Sequence, residues 1–182
     1  ANIAGGAAGV LNAATNLTAS TAATVAEAST INAATNSGTN AYSISDTATA
    51  VATAVAASVA GIEGASGTVT ATGNATVAEA DIIAAFTKAA VFSVSDTATN
   101  VAAASAAALN EAVNIATTGT STLAEANTAI AATNSGTTTI AQVSGTSAEI
   151  VTLSIGANDT ITTLSVTGTT TGADAVTIAA KD

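Results

Sequence analysis

Thr24-Val25-Ala26-Glu27-Ala28 returns as Thr76-Val77-Ala78-Glu79-Ala80 and again as Thr122-Leu123-Ala124-Glu125-Ala126. Each copy has the form of a helix-opening capping box: the Thr hydroxyl accepts from the Glu backbone N–H, and the Glu carboxylate reaches back to the Thr N–H. Thr146-Ser147-Ala148-Glu149 has the same form. Between these boxes lies a second theme, in which Tyr42-Ser43-Ile44-Ser45-Asp46-Thr47 matches Phe92-Ser93-Val94-Ser95-Asp96-Thr97. Here apolar residues alternate with hydroxyls, the two-residue period of a strand with one buried face, and Asp46 and Asp96 stand where a helix N-cap would follow.

Working outward, Ala33-Ala34-Thr35-Asn36-Ser37-Gly38-Thr39 recurs unchanged at Ala131–Thr137. With box starts at 24, 76 and 122, the repeat is about 50 residues long and contains two unlike halves. Six helix starts follow, near residues 24, 46, 76, 96, 122 and 146, and the Ala-rich run Asn100–Ala112 has high helix propensity. Val69-Thr70-Ala71-Thr72 and Leu17-Thr18-Ala19-Ser20 read as further short strands. Asn36-Ser37-Gly38, Asn134-Ser135-Gly136 and Ala65-Ser66-Gly67 read as helix stops in which Gly or Asn takes the left-handed conformation.

Strands separated by helices run parallel, and repetition at near-constant spacing stacks them. The expectation is therefore an α/β chain, a repetitive parallel strand–helix solenoid over residues 1–150. Residues 151–182 read as a β-rich end, a cap or subunit junction: Val151–Ile155 and Thr160–Thr167 are strand-prone, with Gly156, Gly168 and Gly172 as turns and no Ala-rich helix after them. Small Ala and Val side chains bury little area per segment, so stability has to come from stacking.

Composition excludes much chemistry. The 182 residues include no His, Cys, Met, Trp or Pro, and three aromatic residues in all. Without Cys there is no disulfide or thiolate, and without His the commonest general base and metal ligand are both missing. Ser and Thr nucleophiles therefore lack a base, Lys88 lacks a Ser-x-x-Lys pattern, and no Gly-x-Gly-x-x-Gly or Walker sequence occurs. Acids recurring at equivalent positions are scaffold caps rather than a catalytic pair, so the protein is expected not to be an enzyme. A net charge of −10, with Lys88 and Lys181 as the two bases, argues against nucleic acid and anionic membrane surfaces. Mean hydropathy is +0.54, yet the uncharged stretches are too short or too rich in Asn and Thr for the ~20 apolar residues of a membrane helix. A start at Ala1, without Met or a basic region, reads as a processed product or a piece of something longer.

Asp159 in Gly156-Ala157-Asn158-Asp159 and Asp174 in Gly172-Ala173-Asp174 are the calcium candidates, since Gly-containing acidic turns occur in calcium-binding repeats. The doubled Gly of those repeats is absent, so turn formation competes with ligation, and no other cofactor is expected. Ranks of hydroxyls at Ser43/Ser45, Thr70/Thr72 and Ser93/Ser95 open an ice-binding alternative. Asn16-Leu17-Thr18, Asn74-Ala75-Thr76 and Asn158-Asp159-Thr160 fit the glycosylation triplet.

Ser45-Asp46-Thr47-Ala48 and Ser95-Asp96-Thr97-Ala98, alternating with Thr-Val-Ala-Glu-Ala and followed by Ala-Ala-Thr-Asn-Ser-Gly-Thr, resemble the Ala/Thr-rich tandem repeats of large secreted bacterial surface proteins. These are surface-layer or adhesin-like chains exported by type I secretion. The resemblance covers roughly residues 17–140 and brings no catalytic residue. It implies a structural role outside the cell or at its surface, which the absence of Cys also suits. The expected partners are copies of the chain joined head to tail in a surface layer or filament. For a repeat segment of an adhesin they would be surface glycans.

Overall fold

The structure, a computed structural model, describes residue 3 and residues 5–180; Ala1 and Lys181, on which parts of the sequence reading rest, lie outside the described residues. In chain order the elements are α1 (Ala8–Ala13), β1 (Leu17–Thr18), α2 (Val25–Asn32), β2 (Asn40–Ala41), β3 (Ile44–Thr47), α3 (Ala48–Ala56) and α4 (Ala60–Glu63). There follow β4 (Val69–Ala75), α5 (Val77–Ala84), β5 (Ala90–Thr97), α6 (Ala98–Ala103), α7 (Ala106–Glu111), β6 (Ile115–Ser121) and α8 (Leu123–Ile130). The chain continues through β7 (Thr138–Thr146), α9 (Ser147–Ile150), β8 (Asp159–Ile161), β9 (Leu164–Thr167) and α10 (Gly172–Ala179). The protein is α/β with parallel strands, as expected.

Two compact units are present. The first comprises Ala1–Asn74 and Ile82–Phe92. Within it β1 pairs in parallel with β2, Leu17 opposite Asn40, and Ala23 bridges Ile44. Strand β3 pairs in parallel with β4, Ile44 opposite Val69 and Thr47 opposite Thr72. Its core contains Ile31, Ile44, Val51, Ile62, Val69 and Phe92. The second unit comprises Ala75–Asp81 and Ser93–Asp182. There β5 pairs with β6, β6 with β7, and β7 with both β8 and β9, all in parallel. Val94, Val101, Ile115, Ile140, Val143 and Leu153 fill its core. The alternation read from sequence governs burial: Tyr42 and Ile44 are inside while Ser43 and Ser45 are half-buried, and Phe92 and Val94 repeat this against Ser93 and Ser95.

The boxes form as read. Thr24, Thr122 and Thr146 each make the reciprocal pair with their Glu. At Thr76 the N–H donates to Glu79 Oε2 at 2.8 Å and the Glu79 N–H donates to Thr76 Oγ1 at 3.4 Å. Asp46 and Asp96 require a correction, because the caps of α3 and α6 are their successors Thr47 and Thr97, whose hydroxyls accept from Ala50 N and Asn100 N. The Ala-rich run Asn100–Ala112 is also not one helix. Ala104 is extended, with ψ of 154°, and Ser105 caps α7 afresh.

Two further expectations fail on physical grounds. Gly38, Gly67 and Gly136 do not take the left-handed conformation, and α2 and α8 end instead at right-handed Ala33 and Ala131. Gly is needed at Gly38 and Gly136 because a Cβ would collide with the carboxamide oxygens of Asn16 and Asn114, respectively. The left-handed glycines are Gly73, Gly119 and Gly168, each following a strand Thr. At the C-terminal end the strands are short, and the helix α10 forms where no Ala-rich helix was expected. Thr171 caps it by accepting from Asp174 N, so Thr171-Gly172-Ala173-Asp174 is a further Thr-x-x-acid opening that Gly172 disguised as a turn.

Candidate functional site

The side chains with the most extensive polar geometry are those that tie one strand–helix segment to the next. Asn12 Oδ1 accepts from Thr35 N, and Asn16 Oδ1 accepts from Thr39 N, both at 2.9 Å. In the second unit Asn110 Oδ1 accepts from Thr133 N and Asn114 Oδ1 from Thr137 N, again at 2.9 Å. Asn36 Nδ2 and Asn134 Nδ2 donate in return to the carbonyls of Thr15 and Val113. These bonds explain the unchanged heptapeptide: its two Thr amides bond a pair of Asn residues 23 positions upstream, its Asn donates to the carbonyl just before the second of that pair, and its Gly packs against that second Asn. Sequence reasoning missed that pair. The signal was Leu11-Asn12 with Asn16, matching Leu109-Asn110 with Asn114 at the offset of the heptapeptide itself.

Asp46 and Asp96 act in the same way. Asp46 Oδ2 accepts from Val25 N, the first residue of α2, while its Oδ1 accepts from Thr47 N. Asp96 Oδ2 accepts from Val77 N at 3.0 Å, and its Oδ1 accepts from Thr97 N at 2.7 Å and from Asn100 Nδ2 at 2.8 Å. Each carboxylate therefore satisfies an orphan amide of the preceding helix and braces the entrance of its own. Partial burial pushes Asp96 upward, but the bonds from Val77, Asn100 and Thr97 outweigh it and hold the carboxyl below its ordinary range. Glu125 is held low by the Thr122 N–H, with the Thr99 and Thr122 hydroxyls adding to it. Glu149 is held low by the N–H and hydroxyl of Thr146.

The calcium candidates are separately engaged. Asp159 Oδ2 closes its own turn by accepting from Gly156 N at 2.8 Å. Asp174 sits in the first turn of α10 and accepts from Ser147 Oγ at 3.3 Å. Among the described residues no group of three or more acidic, His or Cys side chains is placed to hold a metal ion. Lys88, the one basic side chain among the described residues, donates to the Ala65 carbonyl at 2.8 Å. Tyr42 is buried, its hydroxyl donating to the Gly61 carbonyl at 2.7 Å, and burial raises its pKa.

Cross-strand hydroxyl pairs do form, with Ser45 opposite Thr70, Thr47 opposite Thr72 and Thr146 opposite Thr167. Several serve the protein itself: Thr47, Thr97 and Thr146 cap helices, and Thr72 Oγ1 donates to the Asp46 carbonyl at 3.0 Å. The Asn residues of the glycosylation triplets, Asn16, Asn74 and Asn158, are all exposed, and Asn16 Oδ1 accepts from Thr39 N. No described helix is long and apolar enough to cross a membrane. The chain matches no family model, no curated protein and no solved structure.

Proposed function

We propose that this protein is a non-catalytic structural component, outside the cell or at its surface, whose copies assemble head to tail into a layer or filament. On this reading the strand–helix segments form a repetitive solenoid, an about 50-residue repeat of two halves. One observation carries it: the conspicuous polar side chains, Asn12, Asn16, Asp46, Asp96, Asn110 and Asn114, hydrogen-bond the backbone of a segment 19 to 23 residues away. A catalytic site keeps such groups free to face a substrate, whereas a scaffold spends them on its own backbone. Each bond contributes about 0.5–1.5 kcal/mol net, which suits a chain whose Ala and Val contacts are individually small. Negative-stain electron microscopy of the purified chain tests the proposal. Ordered fibres or sheets are expected, and dispersed single particles at every concentration would overturn it.

A further inference from the structure

The connection from α5 to β5 departs from the repeat. After α2 and α8 the chain returns to a strand through seven residues, 33–39 and 131–137, whereas after α5 it returns through five, 85–89. The two longer turns are held by Asn carboxamides on both sides: Asn12 and Asn16, or Asn110 and Asn114, accept from the turn amides, and Asn36 or Asn134 donates back. The five-residue turn, Ala85-Phe86-Thr87-Lys88-Ala89, has no Asn. There Lys88 Nζ donates to the Ala65 carbonyl at 2.8 Å, 23 residues upstream. This is the part that Asn36 Nδ2 and Asn134 Nδ2 play toward Thr15 and Val113, 21 residues upstream. One ammonium therefore stands in for a set of carboxamide bonds.

The acceptor side of this bond is fixed. Ala65 is 3% exposed, and the N–H groups of Ser66 and Gly67 both donate to the Tyr42 carbonyl. The donor side lies outside helix and strand, with Thr87 and Ala89 exposed and Phe86 and Lys88 half-buried. Its backbone is tied at the two ends, Phe86 N to the Ile83 carbonyl and the Ala89 carbonyl to Val69 N, and the Lys88 side chain supplies the tie between them. Exposed turns of small and polar residues are where folded chains are nicked. Lys88 is also the one basic side chain among the described residues. Lys88–Ala89 is therefore the one peptide bond among them that a protease with an acidic specificity pocket selects.

We infer that Lys88–Ala89 is a latched processing site for a protease of trypsin-type specificity, and that the Lys88–Ala65 hydrogen bond is the latch. The ammonium serves either the Ala65 carbonyl or the protease's acidic pocket, so cutting waits on local release of the turn. Hydrolysis then adds water across the Lys88–Ala89 amide, breaks its C–N bond, leaves a carboxylate on Lys88 and an amine on Ala89, and parts the chain between α5 and β5. The latch and its acceptor both lie in the first compact unit, so the inference stands apart from the assembly reading above.

Two proteases acting on the full chain test it, with mass spectrometry locating the cuts. Trypsin is expected to cut the folded chain once among the described residues, after Lys88, at least about tenfold more slowly than it cuts a peptide of residues 82–95. Chymotrypsin, which cuts after Phe86 in the same turn, reads the opening without using Lys88; the other aromatic residues, Tyr42 and Phe92, are 3% and 1% exposed. K88M keeps the apolar stem and removes the donor, and should speed the Phe86 cut at least about tenfold. K88R keeps a cationic donor and should leave that cut within about twofold of the wild type. G38A strains the same unit through its collision with Asn16, away from the turn, and should leave the Phe86 rate unchanged. Equal rates in K88M and K88R, G38A cut as fast as K88M, or folded chain and peptide cut alike by trypsin would each overturn the latch. A folded chain that trypsin leaves whole while it cuts the peptide would overturn the processing site.

Discussion

Asp96→Ala separates bracing across segments from ordinary capping. The substitution removes the acceptor of three hydrogen bonds, from Val77 N, Thr97 N and Asn100 Nδ2. Thr97 keeps its own hydroxyl cap on α6, so a carboxylate acting on that helix alone would cost little when deleted. On the geometry described here, the Val77 amide at the start of α5 also loses its partner, and so does the Thr97 amide. Bonds to a charged acceptor contribute about 1.5–3 kcal/mol each when enclosed and less at a half-buried site. Losing a cap costs about 0.5–2 kcal/mol. Two orphaned helix amides then amount to roughly 2–3 kcal/mol, a large share of the stability of a domain this size. Urea denaturation followed by circular dichroism measures the loss, and amide exchange locates it. Faster exchange at Val77 as well as at Thr97 is expected. A Val77 amide as protected as in the wild type would refute the bracing role, whatever the total loss.

Acid should loosen the protein through Asp96, Glu125 and Glu149, whose folded pKa values are depressed. Their contribution is present above the unfolded carboxylate values near about 4 and is lost as pH falls through the lower folded values. The melting temperature should thus be level from neutral pH to about 5 and fall below that; an equal melting temperature at pH 3 and pH 7 contradicts this. Gly136→Ala should cost about 1–3 kcal/mol in denaturant, because its Cβ would meet Asn114 Oδ1 and the Val113 carbonyl. Gly172→Ala, with nothing near its Cβ, should be neutral or slightly stabilising, and equal effects of the two would contradict the docking of the heptapeptide. Asn114→Ala should cost about 1–2 kcal/mol by orphaning the Thr137 N–H, read from the same denaturation curves, and an unchanged midpoint would count against the Asn contact.

The parts of the fold legible in the sequence were those set by local rules. Thr-x-x-Glu predicts a helix start from chemistry contained within four residues, and Phe92-Ser93-Val94-Ser95 predicts which side chains point inward. What stayed illegible depends on the neighbouring segment. Asp46 and Thr47 are both good cap residues, and the choice falls on Thr47 because Asp46 is drawn to Val25 N. Gly38 looks like a helix stop but answers to Asn16 of the preceding segment. Ala104 and Ser105 interrupt an apparent helix where Asp81 Oδ1 accepts from Ser105 N at 3.1 Å. At the candidate site the carboxylates were recognised and their long-range partners were not, since a partner 19 or 21 residues away leaves no mark within either motif.

Sedimentation equilibrium of the unaltered chain over a wide concentration range tests the central claim most directly. If unlike ends meet head to tail, the average mass climbs steadily past 16.9 kDa through dimer and trimer without settling at a closed size. A single species of 16.9 kDa at every concentration would contradict it.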